Sequence, residues 1–183
     1  MARGAESLEQ GFQEEEAMKH IQAPNKYDHD SYKIFLAGSI EMGRAEGWQK
    51  YIVEQLGDCD DSVTILNPRR DDWDSSWEQS KNNEKFNEQV LWELSGLMEA
   101  DLIVFYFSPG TISPISLMEL GFVAAKNIVV CCPDGFDRKG NVDIFCDVNG
   151  IHMVESLDDL LAEIRRQIKL RLNFNFSAKF SAG

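Results

Sequence analysis

Basic charge is scarce in this chain: 18 Lys and Arg stand against 31 Asp and Glu, for a formal net charge of -13. That balance disfavours binding of a nucleic-acid polymer or an anionic membrane, since both need a basic field. No apolar run approaches the ~20 residues of a membrane-spanning helix, and the polar start MARGAESLEQGFQEEE does not read as a signal peptide. Four cysteines (Cys59, Cys131, Cys132, Cys146) lack any C-x-x-C spacing, and Cys131-Cys132 falls in an apolar run where buried thiol is the default. Three histidines (His20, His29, His152) lie scattered in dissimilar contexts, so no metal site is expected. Neither a G-x-G-x-x-G after the first strand-like run nor a phosphate-loop motif occurs, which leaves a dinucleotide site unsupported. The expectation is a reduced, cytoplasmic, soluble protein.

What is present suits one globular domain: 183 residues, 43% hydrophobic and 10% aromatic. Residues 1–31 are polar and without sustained period, and read as a mobile arm before a domain over 32–172. Short apolar runs at 33–38 (KIFLAG), 62–68, 101–107 (DLIVFYF), 127–132 and 150–154 read as five buried strands. Helical spacing appears over 43–56, 84–100, 116–126 and 156–172. The tail 173–183 carries Phe174, Phe176 and Phe180 among small or polar residues, and its pattern fits a partner contact or a loose end equally. Alternating strands and helices predict an α/β three-layer sandwich of flavodoxin or Rossmann-like type, with a five-stranded parallel sheet in the order 2-1-3-4-5. Ligands of such sheets bind beyond the carboxyl ends of the strands. There the chain places AGSIEMG, NPRRDDWDSSW, SPGTISPIS and PDGFDRKGN, all polar or punctuated by Gly and Pro.

Glu119 stands out in SPGTISPISLMELGF, a carboxylate among Leu117, Met118, Leu120 and Phe122. Ser116-x-x-Glu119 matches a capping box, a local role. The elaborate loop before it favours a reactive carboxylate, kept ionised by the helix dipole. Glu93, in QVLWELSGLMEAD, falls by simple geometry toward the wrong end of its helix for the crevice, and periodicity makes it a surface residue. Arg69-Arg70 beside Asp71-Asp72 reads as an ion-pair cluster or as an anion clamp. Trp73 and Trp77 either cover the core or offer faces to a nucleobase. Thr111, Ser113 and Ser116 are loop hydroxyls that suit a sugar or phosphate oxygen as well.

In FLAGSI, NPRRDDWDSSWEQ, WELSGLMEADLIVFYF and SLMELGF, taken in order over about residues 33–155, the chain resembles the nucleoside 2-deoxyribosyltransferases and their relatives, the 2-deoxynucleoside 5-phosphate N-hydrolases. The resemblance implies Glu119 as nucleophile and Glu93 as the second acid, near the leaving base. It assigns Phe35, Gly38, Ser39 and Ile40 of the first-strand motif to the substrate site. Arg69, Asp72 and Trp73 of the following loop join them, as do Ser116 and Met118 around the nucleophile. Ser113 stands where monophosphate-using members carry serine. Phe35 replaces the tyrosine that orients the nucleophile in the transferases. Glu41 replaces the arginine of the hydrolases, a role open to Arg44 or Arg69. Asn149 matches an asparagine that reaches in from a neighbouring subunit, so a homodimer or larger homo-oligomer is expected. The resemblance implies a nucleoside or nucleotide ligand and neither metal nor organic cofactor. Sugar transfer to another base is the first expectation. Hydrolysis of a deoxynucleoside 5-monophosphate, cleavage of another N-ribosyl ligand such as NAD, and nucleotide sensing without turnover are the alternatives.

Overall fold

The structure, a computed structural model, describes residues 18–40 and 47–181, with side chains to Phe174. Six strands form one sheet: β1 (Lys19–Gln22), β2 (Tyr32–Gly38), β3 (Val63–Asn67), β4 (Leu102–Tyr106), β5 (Ile128–Cys131) and β6 (His152–Val154). Every pairing is parallel and the order is β1-β3-β2-β4-β5-β6. Five of these strands have the expected 2-1-3-4-5 order. The sixth, β1, is a correction: residues 19–22, read as part of an arm, pair with Thr64–Asn67 along the edge of β3.

The central strands are buried on both faces, so they read as continuous apolar runs rather than alternating ones. One face of the sheet packs Phe35, Phe105, Phe107 and Val130 under α2 (Glu84–Glu99), α3 (Pro114–Phe122) and α4 (Lys139–Asn149). The other packs Ile34, Leu36, Val104 and Val129 under α1 (Trp48–Gln55) and α5 (Leu157–Ser181). The sequence reading passed over α4, which the parallel β5–β6 connection requires as its crossover. Helix α5 runs on through most of the segment read as a tail.

Two glycines set the distances that matter near the crevice. Gly38 ends β2 at φ +136°, and a Cβ there would lie 2.2 Å from the Tyr106 carbonyl oxygen. Gly96 lets α2 settle on β2, because a Cβ at this position would stand 2.7 Å from the Phe35 ring. Segment 23–31 then crosses the outside of α2. The Trp92 indole N–H donates to the Asn25 carbonyl at 2.9 Å, and His29 Nδ1 meets Glu99 at 2.9 Å.

Candidate active site

Helix α3 begins earlier than the capping-box pattern indicates. Ser113 is its N-cap residue, in the left-handed region at φ 36°, and Pro114 takes the first helical position, where its missing N–H costs nothing. Ser116 is therefore inside the helix, and its hydroxyl donates to the Gly38 carbonyl at 2.9 Å, tying the start of α3 to the end of β2. Glu119 lies a turn further on, on the same buried face, with no role in capping. It is 8% exposed, and among the described residues its carboxyl has no hydrogen-bond partner. Too far into the helix to gain from the end of the dipole, it responds to its surroundings. Burial first, and the neighbouring charge of Glu93 second, push its carboxyl up to about 8. The expectation of a carboxylate held ionised by the helix start is thus reversed for the free protein.

Glu93, on α2, is half-buried and is brought beside Glu119 by the close seat of that helix at Gly96. Burial raises its carboxyl too, opposed by a hydrogen bond from Gln89, whose amide donates to Oε1 at 2.8 Å. The surface reading of Glu93 gives way here. Two carboxyl groups carried by different helices thus lie within electrostatic reach in a place poor in water, and among the described residues no cation forms an ion pair with either.

Beside them lies a buried knot of hydroxyls. Ser39 Oγ stands 2.8 Å from Thr111 Oγ1 and 2.7 Å from Ser113 Oγ, and it accepts the Ser108 amide at 2.9 Å. Thr111 in turn donates to the Ser108 carbonyl at 2.8 Å. The indole of Trp48 donates to the Ser39 carbonyl at 3.1 Å, so α1 holds the same corner. This knot joins the ends of β2 and β4 and fixes the loop that delivers α3.

The loop after β3 is built around Arg70 rather than Arg69. The Arg70 guanidinium, its side chain 5% exposed, meets both Asp72 oxygens at 2.8 and 2.9 Å and lies 5.2 Å from the centre of the Trp77 ring. That pairing holds Asp72 below the usual carboxylate range. Trp73 packs on Trp77 at 5.1 Å between centroids and on Phe86 at 6.4 Å, leaving it 36% exposed. Arg69 is exposed, and its carbonyl accepts the Gln22 amide at 2.6 Å. Gln22 also donates to Asp71 at 3.1 Å, so β1 fastens this loop, a contribution the sequence reading missed.

The remaining assignments are dispersed. Phe35 is packed under α2, against Trp92 at 6.0 Å, and is 1% exposed. Ile40 is partly exposed where the described chain breaks, and Met118 lies on the outer surface of α3 with Ile115 and Phe122. Asn149 ends α4 at the opposite, amino end of the sheet, where its amide donates to the Phe145 carbonyl at 2.8 Å. Glu41 and Arg44 fall outside the described residues. Among the described residues no cluster of His, Cys, Asp and Glu is suited to hold a metal ion, and no helix is long and apolar enough to cross a membrane.

No curated protein matches the chain. Among solved structures, one described as a conserved protein from Enterococcus faecalis V583 superposes with a TM-score of 0.55 at 21% identity, covering 75% of this chain and 99% of that one. At that identity the likeness speaks for the fold. The family model described as "Nucleoside 2-deoxyribosyltransferase like" matches residues 31–136, which hold β2 through β5, both carboxyl groups and the hydroxyl knot, and the chain belongs to that family.

Proposed function

We propose that the protein cleaves the N-glycosidic bond of a nucleoside or nucleotide by double displacement and passes the sugar to another base. The observation that carries this reading is the buried Glu119 within electrostatic reach of Glu93, in a chain of this family. Burial pushes both carboxyl groups toward the neutral form and the charge of Glu93 adds to the shift of Glu119, so their titration belongs to the pair. One ionised and one protonated carboxyl is the charge state that a retaining displacement needs. Glu119, which holds its proton in the free protein, passes it to Glu93 on binding and as the anion attacks C1′ to form a glycosyl ester. Glu93 gives its proton to the departing base, and later takes one from the incoming base or water. The poor solvation of the site strengthens the pull of the Glu119 anion on the oxocarbenium-like transition state. A 2-deoxy sugar is the easier substrate, because a 2′-hydroxyl withdraws electrons from that cation.

Hydrolysis is the second reading. Phe35 supplies no hydroxyl, and Glu119 has no donor beside it among the described residues, so the orienting contact implied for a transferase is missing. A homo-oligomer belongs to the same proposal. Ile115, Met118 and Phe122 of α3 and Ile144 and Val148 of α4 are 55–78% exposed on one layer. Such a patch is of the kind that association covers, and a second copy there accounts for it.

The deciding experiment incubates the protein with deoxynucleosides and their 5′-monophosphates, with and without a second free base, beside Glu119→Ala. A new nucleoside that depends on Glu119 supports transfer, and free base plus free sugar supports hydrolysis. Ligand binding without turnover refutes both and leaves a sensing module.

A further inference from the structure

We infer that Gln89 is a positioning residue for Glu93, a clamp that selects which carboxyl oxygen carries the proton. This rests on the role proposed for Glu93. Gln89 sits one turn before Glu93 on α2 and is 4% exposed. Its Nε2 donates to the Pro68 carbonyl at 2.8 Å and to Glu93 Oε1 at 2.8 Å. An amide nitrogen has two N–H groups, and both are spent. Turning the amide over would set its oxygen against two acceptors, so the orientation is fixed. The Glu93 carboxyl is thereby tied, through Gln89, to the carboxyl end of β3 instead of swinging freely on its helix.

Gln89 Oε1 is buried with no partner. A buried acceptor left unmatched is unfavourable, and a Met of similar volume fills the space without it. Packing alone does not account for a glutamine here; its two donors do. Because Oε1 of Glu93 receives the N–H, the acid proton resides on Oε2. In the displacement the C1′–N bond breaks and its electron pair leaves with the base, whose nitrogen takes the proton from Oε2. A Glu119 oxygen forms the new bond to C1′. The Gln89 N–H remains on Oε1 as Glu93 becomes an anion, and a hydrogen bond to an anion is stronger than one to a neutral acid. Gln89 therefore favours the transition state over the ground state. Glu119 is the charged group that faces Glu93 from the neighbouring helix, and it opposes that charge.

The test follows the Glu93 carboxyl by ¹³C NMR in wild type and Gln89→Met, assigned with Glu93→Gln, with thermal melting as the control for folding. The midpoint is expected to rise by about one pH unit or more in Gln89→Met, as loss of a hydrogen bond to a charged group implies. An unchanged midpoint overturns the inference. Should Gln89→Met not fold, Gln89→Asn, a methylene too short to bridge both acceptors, is read the same way. The kinetic arm expects kcat for base release to fall on the order of 10-fold to 100-fold in Gln89→Met, with no further loss when Gln89→Met is added to Glu93→Gln. Full additivity of the two substitutions counts against the clamp. The titration needs no turnover, so an inactive wild type would remove the glycosidic reading without deciding the fate of this one.

Discussion

Replacing Glu119 by Gln should stabilise the protein, and by an amount that grows with pH. The carboxyl is almost fully buried, has no donor beside it among the described residues, and is pushed from its ordinary 4.5 to about 8. Between those two values the folded chain holds a proton that the unfolded chain has released, so folding stability falls as pH rises through that window. The loss relative to a permanently neutral side chain amounts to about 4 kcal/mol at pH 8 and less than about 1 kcal/mol at pH 5. Gln is close to Glu in volume and never ionises. Guanidinium unfolding of wild type and Glu119→Gln at pH 5, 6, 7 and 8 should therefore give two curves that separate as pH rises. For a chain of this size the gap at pH 8 corresponds to a melting point higher by roughly 10 °C. A constant difference across the range would show that Glu119 is solvated or paired, and would refute the electrostatic account of the site. An opposite slope would place it beside a cation.

Gly96→Ala should lower stability by about 1–3 kcal/mol through overpacking against Phe35. By lifting α2 it should also reduce activity more than binding, read as a fall in kcat with little change in KM. Ser39→Ala removes the oxygen that accepts the Ser108 amide and meets Thr111 and Ser113. Melting should show a loss of about 1–3 kcal/mol from the stranded donors. The Cys131 and Cys132 thiols are pushed by burial up to about 12 and Cys146 up to about 11, so the native protein should react with a thiol reagent at pH 8 far more slowly than the unfolded one. In base release, Glu93→Gln should cost about 10²–10⁴-fold in kcat, and less for substrates whose base leaves readily without a proton.

The strands of the centre were legible because burial on both faces makes them unbroken apolar words, as in KIFLAG and DLIVFYF. Where the stabilising partner is distant in sequence, the text was weaker. KHIQ has one aliphatic residue, and its strand state comes from the ladder with β3. Helix α4 hides behind PDG, lacks a capping side chain at Arg138 and shows only Val142 and Cys146 fully buried. At α3 the Ser-x-x-Glu pattern misled, since Pro114 was the truer mark of a helix start. Glu93 was reachable only through the family resemblance. Strand-and-helix order puts it near the wrong end, whereas Gly96 rests on Phe35 in mid-strand and so brings Glu93, most of a turn earlier, toward the rim. No local pattern announces that Gln89 and Gln22, from separate elements, reach the same loop at Pro68, Arg69 and Asp71.

Among the described strands β1 is made before any other, yet it cannot be seated until β3 exists. Its neighbour is β3, which lies between it and β2, so residues 19–22 have no ladder to join until residue 67 has emerged. Until β1 is seated, the Arg69 carbonyl and the Asp71 carboxylate lack the Gln22 amide, and β3 has an open edge. A growing chain can thus close this margin before β4, β5 and β6 are made, and this part of the crevice rim is fastened when residues 19–22 fold back onto β3.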